Sequence, residues 1–298
     1  MTVYGVHTGL QYTTTDELVG LWHRIEAAGY GFISIWDHFY AADLTGNANC
    51  LEAVAAHAAL ACSTTRVRCG SLVYCVGYRH PAVLAKALTT IDHLSNGRAE
   101  IGLGAGWSQL EYDAYGIPFP PVGERMDMLE EAAACVRGLL HDEQTDFSGR
   151  HYVLTEAKNE PRPVQAHLPI WIGGGGEKRT LRIAAQYADA WNIPFVAPDE
   201  FARKRAILHQ HCEAVGRDPS AISCAVNVGL SWNEEDFESQ FGNLRMAVRP
   251  GVLMGSDEEV LDRIGEYVEA GADQLNIAVR APWDPEGLER LASALKLT

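Results

Sequence analysis

Residues 3–39 read VYGVHTGLQYTTTDELVGLWHRIEAAGYGFISIWDHF, and this stretch decides the fold class. Val3–Thr8 is a short apolar run of strand length. Thr15–Gly29 then carries Leu18, Leu21, Trp22 and Ile25 on one helical stripe; Thr15 or Asp16 can cap its start, and Gly29 ends it. Phe32–Trp36 is a second apolar run. A strand, a crossover helix and another strand apolar on both faces make the repeating unit of a covered parallel sheet.

The same rhythm runs outward from this stretch. Strands are expected at Val67–Val73, Arg98–Leu103, Pro169–Ile172, Ala188–Ile193, Ile222–Val228 and Gln274–Val279. Helical patterns lie between them: about Cys50–Cys62, Ala82–Leu94 opened by Pro81, Glu124–Leu140, a helix from Glu177, Pro198–Val215, Asp257–Ala270 and a final Pro285–Leu297. Eight alternations in fewer than 300 residues favour a closed (β/α)8 barrel over a doubly wound sheet. The expectation is an α/β protein with one barrel domain over residues 1–298. Thr145–His167 and Leu230–Pro250 do not fit the repeat and read as excursions near a pocket rim.

Composition limits the function classes. The 298 residues are 47% hydrophobic and 21% charged, as in ordinary globular chains. A net charge of −15 without a basic run disfavours nucleic acid and anionic membrane surfaces as partners. No run approaches the ~18 apolar residues of a membrane span, and the start lacks the basic and apolar regions of a signal peptide. The expected location is therefore cytoplasmic. Seven scattered Cys without a Cys-x-x-Cys fit neither a disulfide framework nor a zinc ribbon.

In a barrel the chemistry belongs at the carboxyl ends of the strands. Trp36-Asp37-His38-Phe39 would place a titratable imidazole in the barrel mouth, suited to proton transfer, or merely bonded to a loop carbonyl. Gly173-Gly174-Gly175-Gly176 joins a strand to a helix start. Backbone N–H groups there favour a phosphate, whereas the alternative is a flexible turn. Gly102-Leu103-Gly104-Ala105-Gly106-Trp107 fails as a dinucleotide fingerprint, because Trp107 stands where the last Gly is needed. It serves either a flat ring or close strand packing. His7-Thr8 ends the first strand without a second His, so no catalytic metal site is expected. His57 and His93 fall in helical patterns, and no Gly-x-Ser-x-Gly elbow is present.

These residues resemble the luciferase-like monooxygenase superfamily, and within it the coenzyme F420-dependent oxidoreductases. The match lies in Glu26–Tyr30 with Ile35–Phe39, Tyr78–Lys86, Ser95–Arg98 with Gly102–Trp107, Tyr115–Pro120 with Gly123–Arg125, and Ile172–Thr180 with Tyr187–Asn192. It runs from the first strand to about Val215 and resumes at Leu253–Val279, leaving Leu230–Pro250 private to this chain. The resemblance implies a bacterial luciferase-like barrel with a deazaflavin or flavin across its mouth and a non-prolyl cis peptide near Leu72-Val73. It implies catalytic roles for His38 and Asp37. Cofactor contacts would come from Thr8, Leu72, Val73, Gly106, Trp107, Gly173–Gly176 and Asn192. His7, Tyr74 and Glu111 would border the substrate. The chain departs from the F420-dependent sugar-phosphate dehydrogenases, which carry Glu at the position of Trp107, and His7 replaces the Gln of many relatives.

The leading expectation is hydride transfer between F420 and a small organic substrate. The alternative is a reduced-FMN-dependent monooxygenase, and a third is a non-catalytic flavin-binding barrel. Arg79, Lys158 and Arg162 are the candidate basic rim for the polyglutamate tail of F420. The expected partner is a small molecule, with a homodimer as the candidate assembly.

Overall fold

The computed structural model describes residues 2–297. Eight parallel strands close into a barrel: β1 (Val3–Thr8), β2 (Phe32–Ile35), β3 (Arg68–Ser71), β4 (Ala99–Gly104), β5 (Ile170–Gly173), β6 (Ala190–Pro194), β7 (Ser223–Ser231) and β8 (Gln274–Val279). Each pairs with its sequence neighbours, and β8 closes on β1 with Val3 opposite Gln274 and Thr8 opposite Val279. An outer ring of helices covers the strands: α1 (Thr15–Ala27), α2 (Ala53–Ser63), α3 (Pro81–Ser95), α4 (Gln109–Tyr115), α5 (Val122–His141), α6 (Thr180–Tyr187), α7 (Pro198–Ala214), α8 (Glu234–Phe241), α9 (Asp257–Glu269) and α10 (Pro285–Ala294). This is a TIM barrel.

Local chemistry accounts for the element ends. Thr14, rather than Thr15 or Asp16, caps α1, because Glu17 sits at the third helical position and completes a reciprocal capping box with it. Leu18, Leu21, Trp22 and Ile25 form the buried stripe of α1. The third strand stops at Ser71, earlier than expected. Leu72-Val73 is a cis peptide, and pairing resumes as Tyr74–Cys75 beside Leu103–Gly104. The helix after the four glycines begins at Thr180 rather than Glu177.

The two unmatched stretches have structure of their own. Residues 145–167 contain an antiparallel hairpin, Thr145–Ser148 with Val153–Ala157. In residues 230–250, β7 runs on to Ser231 and is followed by α8 and a further turn at Arg245–Val248; Val252–Met254 then pairs with Gly229–Ser231. Inside the barrel, Phe32, Leu72, Trp171, Ala190 and Ala225 form a small apolar plug. Beneath it Glu100 pairs with Arg68 and accepts from Trp171 Nε1 at 2.6 Å. The lower interior is thus filled, and open space remains at the carboxyl end. Among the described residues, no helix is long and apolar enough to cross a membrane.

Candidate active site

A cavity of about 470 Å³ opens at the carboxyl ends of the strands. β1 contributes His7, and the end of β2 contributes Trp36, Asp37 and His38. Leu72, Val73, Cys75 and Tyr78 follow β3, and Gly104–Trp107 end β4. Gly173 and Gly174 come from β5, Asn192 from β6, Asn227 from β7 and Arg280 from just past β8. The second excursion adds Leu244 and Val248. Inward-facing amides tie β6, β7 and β8 together: Asn192 and Asn276 both donate to Asn227 Oδ1, at 2.9 and 3.0 Å.

Asp37 and His38 are adjacent in sequence but belong to separate networks. The Asp37 carboxylate is enclosed and takes a two-pronged pair from Arg79, at 2.6 and 3.0 Å, plus the Cys75 N–H at 2.9 Å. Burial pushes its carboxyl up; Arg79 and the Cys75 N–H oppose that rise and give it the contacts of an ionised group. His38 instead donates from Nδ1 to Glu111 Oε1 at 2.7 Å. Glu111 also accepts from the Tyr78 hydroxyl at 2.5 Å and from the Phe39 N–H at 3.2 Å. Burial alone would raise the Glu111 carboxyl, but the bonds from His38, Tyr78 and Phe39 outweigh it and hold it below its ordinary value. With Nδ1 committed, Nε2 is the nitrogen His38 has left for the cavity. Phe39 stacks on Tyr78 and Tyr115, with centroids 4.4 and 4.5 Å apart, and so fastens this network to α4.

His7, the other strand-end histidine, is poorly placed to carry a proton. Its Nδ1 pairs with Ser34 Oγ at 2.8 Å, and burial, helped by Arg280 and His38, pulls its pKa down to about 3. Cys75 is no nucleophile either, since burial pushes its thiol up to about 12.

The cavity floor is built around Val73. A Cβ on Gly173 would fall 2.7 Å from Val73 Cγ1, and one on Gly104 would also meet Val73. Close packing therefore explains the glycines at the ends of β4 and β5, and it lets an apolar surface rise between them. Beyond it, Gly174 adopts φ +118°, a region other residues avoid, and the chain passes to α6. Among the described residues, the N–H groups of Gly175 and Gly176 find no protein acceptor.

The structure gathers at this cavity His7, Asp37, His38, Leu72, Val73, Gly106, Trp107, Gly173, Gly174 and Asn192. Others expected there stand elsewhere. Thr8 points into the helix layer, where it receives Trp22 Nε1 at 3.1 Å. Tyr74 is fully buried and its hydroxyl pairs with His57 at 2.9 Å, because side chains alternate along the short strand and Cys75 takes the cavity side. Glu111 stands behind His38 rather than on the wall. Gly175 and Gly176 lie past the wall, and a Cβ on Gly175 would meet Ile193 Cδ1 at 2.7 Å.

Two of the three residues of the expected basic rim are spent, while Lys158 is exposed and forms no ion pair among the described residues. Arg79 is held by Asp37 and Glu52, and Arg162 caps the end of α5 through the carbonyls of Leu139, Leu140 and Asp142. Tyr78 and Thr180 are wall residues that the sequence reading did not place at the cavity, whereas Trp36, Asn227 and Arg280 stand at the strand ends where chemistry is expected but were given no role there.

The family model described as luciferase-like monooxygenase matches residues 1–249. A protein of Mycobacterium tuberculosis without an assigned function is 33% identical over 216 residues, which cover 72% of this chain and 73% of that one. The F420-dependent glucose-6-phosphate dehydrogenase of Amycolatopsis mediterranei is 34% identical over 264 residues, covering 86% and 76%. An F420-dependent secondary alcohol dehydrogenase, solved with an F420–acetone adduct, superposes with a TM-score of 0.86 at 20% identity, covering 99% and 98%. At that identity the superposition speaks for the fold. The chain belongs to the luciferase-like monooxygenase family and is an oxidoreductase enzyme.

Proposed function

We propose that residues 1–298 act as one barrel domain that binds coenzyme F420 and transfers a hydride between it and a small organic substrate, with His38 handling the accompanying proton. The observation that carries this reading is the His38–Glu111–Tyr78 network, which leaves one imidazole nitrogen toward an otherwise mostly apolar cavity. The F420-dependent relative supports the choice of cofactor.

The residues fit a flat ring with a phosphorylated side chain. Val73 offers an apolar floor, and Trp107, 55% exposed, stands at the rim with its ring 5.2 Å from that of His38. The unclaimed N–H groups of Gly175 and Gly176 suit a phosphate. When bound, the deazaflavin supplies a carbon that gives or accepts hydride. His38 Nε2 would hold or release the proton at the reacting substrate atom. Glu111 would keep the other proton on Nδ1 and stabilise the imidazolium. Arg79 would hold the Asp37 strand end that carries His38.

A reduced-FMN monooxygenase is the second reading, and one observation favours it: two of the three candidate tail-binding residues, Arg79 and Arg162, are committed elsewhere, which leaves only Lys158 of that set for a polyglutamate tail. Anaerobic assays with reduced F420 and a panel of ketones and enones test the choice. Reappearance of the oxidised deazaflavin band without oxygen supports hydride transfer. Turnover that needs both reduced FMN and oxygen replaces it with oxygenation.

A further inference from the structure

Arg280 leaves the end of β8 and lines the cavity beside His7 and Trp36. Its guanidinium carbon lies 5.5 Å from the Trp36 ring centre and 5.1 Å from that of Phe241. Nε and Nη1 are buried and donate to nothing among the described residues. The nearby carboxylates are already engaged. Asp43 attracts Arg280 through space, but it makes no hydrogen bond to it and its oxygens are bonded by Tyr12 and Thr45. On the far side of Arg280, Asp236 accepts from Ser231, Trp232 N–H and Gln240, and Asp284 from Gly287 N–H.

His7, held neutral, brings no negative charge. Burial lowers the Arg280 pKa only to about 10, so the group is a cation at neutral pH. A buried charge without hydrogen-bonded compensation is costly, and a ligand that brings an anion removes the cost.

Two more observations define that ligand. Arg280 is the one Lys or Arg among the described residues on the cavity wall, which suits a monoanion better than a phosphate dianion. The planar guanidinium matches a carboxylate in particular. Around it the wall is Trp36, Phe195, Leu244 and Val248, two of them from the second excursion at residues 230–250, which the family model spans to residue 249.

We propose that the substrate is a small organic carboxylate whose anionic end is received by Arg280 and whose apolar body lies between Trp36, Phe195, Leu244 and Val248. This assignment rests on the cavity being the substrate site of the proposed oxidoreductase, and it deepens that reading.

Calorimetric titration of the full chain, alone and saturated with F420, tests it with phenylacetate, the neutral isostere phenylacetamide, and inorganic phosphate. Phenylacetate is expected to bind about tenfold or more tightly than phenylacetamide. Arg280→Gln and Arg280→Met should bring the two together, and Arg280→Lys should keep part of the preference. Equal affinity in the wild type, no saturable phenylacetate binding, a preference that survives Arg280→Gln, or phosphate binding as tightly as phenylacetate would each overturn the assignment. Arg280→Gln is also expected to keep wild-type F420 affinity, since a loss would assign the charge to the cofactor instead. If the carboxylate preference holds while F420 fails to bind, the hydride-transfer reading falls and the Arg280 assignment stands. If F420 binds without the preference, the reverse holds.

Discussion

Asp37 and His38 leave β2 one after the other, and their substitution should fail in different ways. His38→Ala removes the group placed for proton transfer, so kcat should fall about 10²–10⁴-fold while the cofactor Kd stays near wild type. Near-normal kcat in that variant would make His38 a wall residue. Asp37→Asn breaks an enclosed ion pair and leaves Arg79 short of a partner, which should cost about 3–5 kcal/mol of stability, read by urea unfolding. Loss of kcat without loss of stability would contradict that separation. The Asp-His pair was legible because it follows an apolar strand. Its division was not: Glu111 lies 73 residues from His38, in the seven-residue helix α4, too short to show a periodic stripe.

At the scale of elements, the ends of β4 and β5 are shaped by Val73. Gly173→Ala would press a methyl group against Val73 and should cost about 1–3 kcal/mol. Val73→Ala in the same chain should recover most of that cost, because the clash disappears. Additive losses in the double variant, measured by chemical unfolding, would show that Val73 is not the obstacle. Close approach at Gly102–Gly106 could be read from the sequence as one of two alternatives, but what approaches could not, since Ser71, Val73 and Cys75 come from the segment that ends β3, about thirty residues earlier in the chain. The four-glycine loop was similarly half legible. Gly174 lies on the cavity, whereas Gly175 is required by Ile193 as well, so a Gly175 variant would confound packing with phosphate binding.

For the whole molecule, acid sensitivity follows from two histidines buried in neutral form. His7 is held down to about 3 and His57 to about 4, against an ordinary 6.5. Above 6.5 neither form of the chain protonates them. As pH falls below 6.5 the unfolded chain takes up protons that the folded chain refuses, so stability declines until the folded values are reached. Each group contributes up to about 1.4 kcal/mol per pH unit. His7→Gln should flatten the dependence of unfolding free energy on pH between about 6 and 4 by roughly one group's worth, and an unchanged slope would contradict it. The barrel itself was readable because its strands are apolar on both faces and its helices carry their own stripes and caps. The excursions were readable as lengths that break the repeat, but the 145–157 hairpin was not, because its strands are half exposed and its pairing is local.

Parallel fluorescence titrations of the purified protein with F420 and with FMN bear most directly on the proposed hydride transfer. Saturable quenching by F420 in the micromolar range, about tenfold or more tighter than FMN, is the expected result. Tight FMN binding with no saturable response to F420 would contradict it.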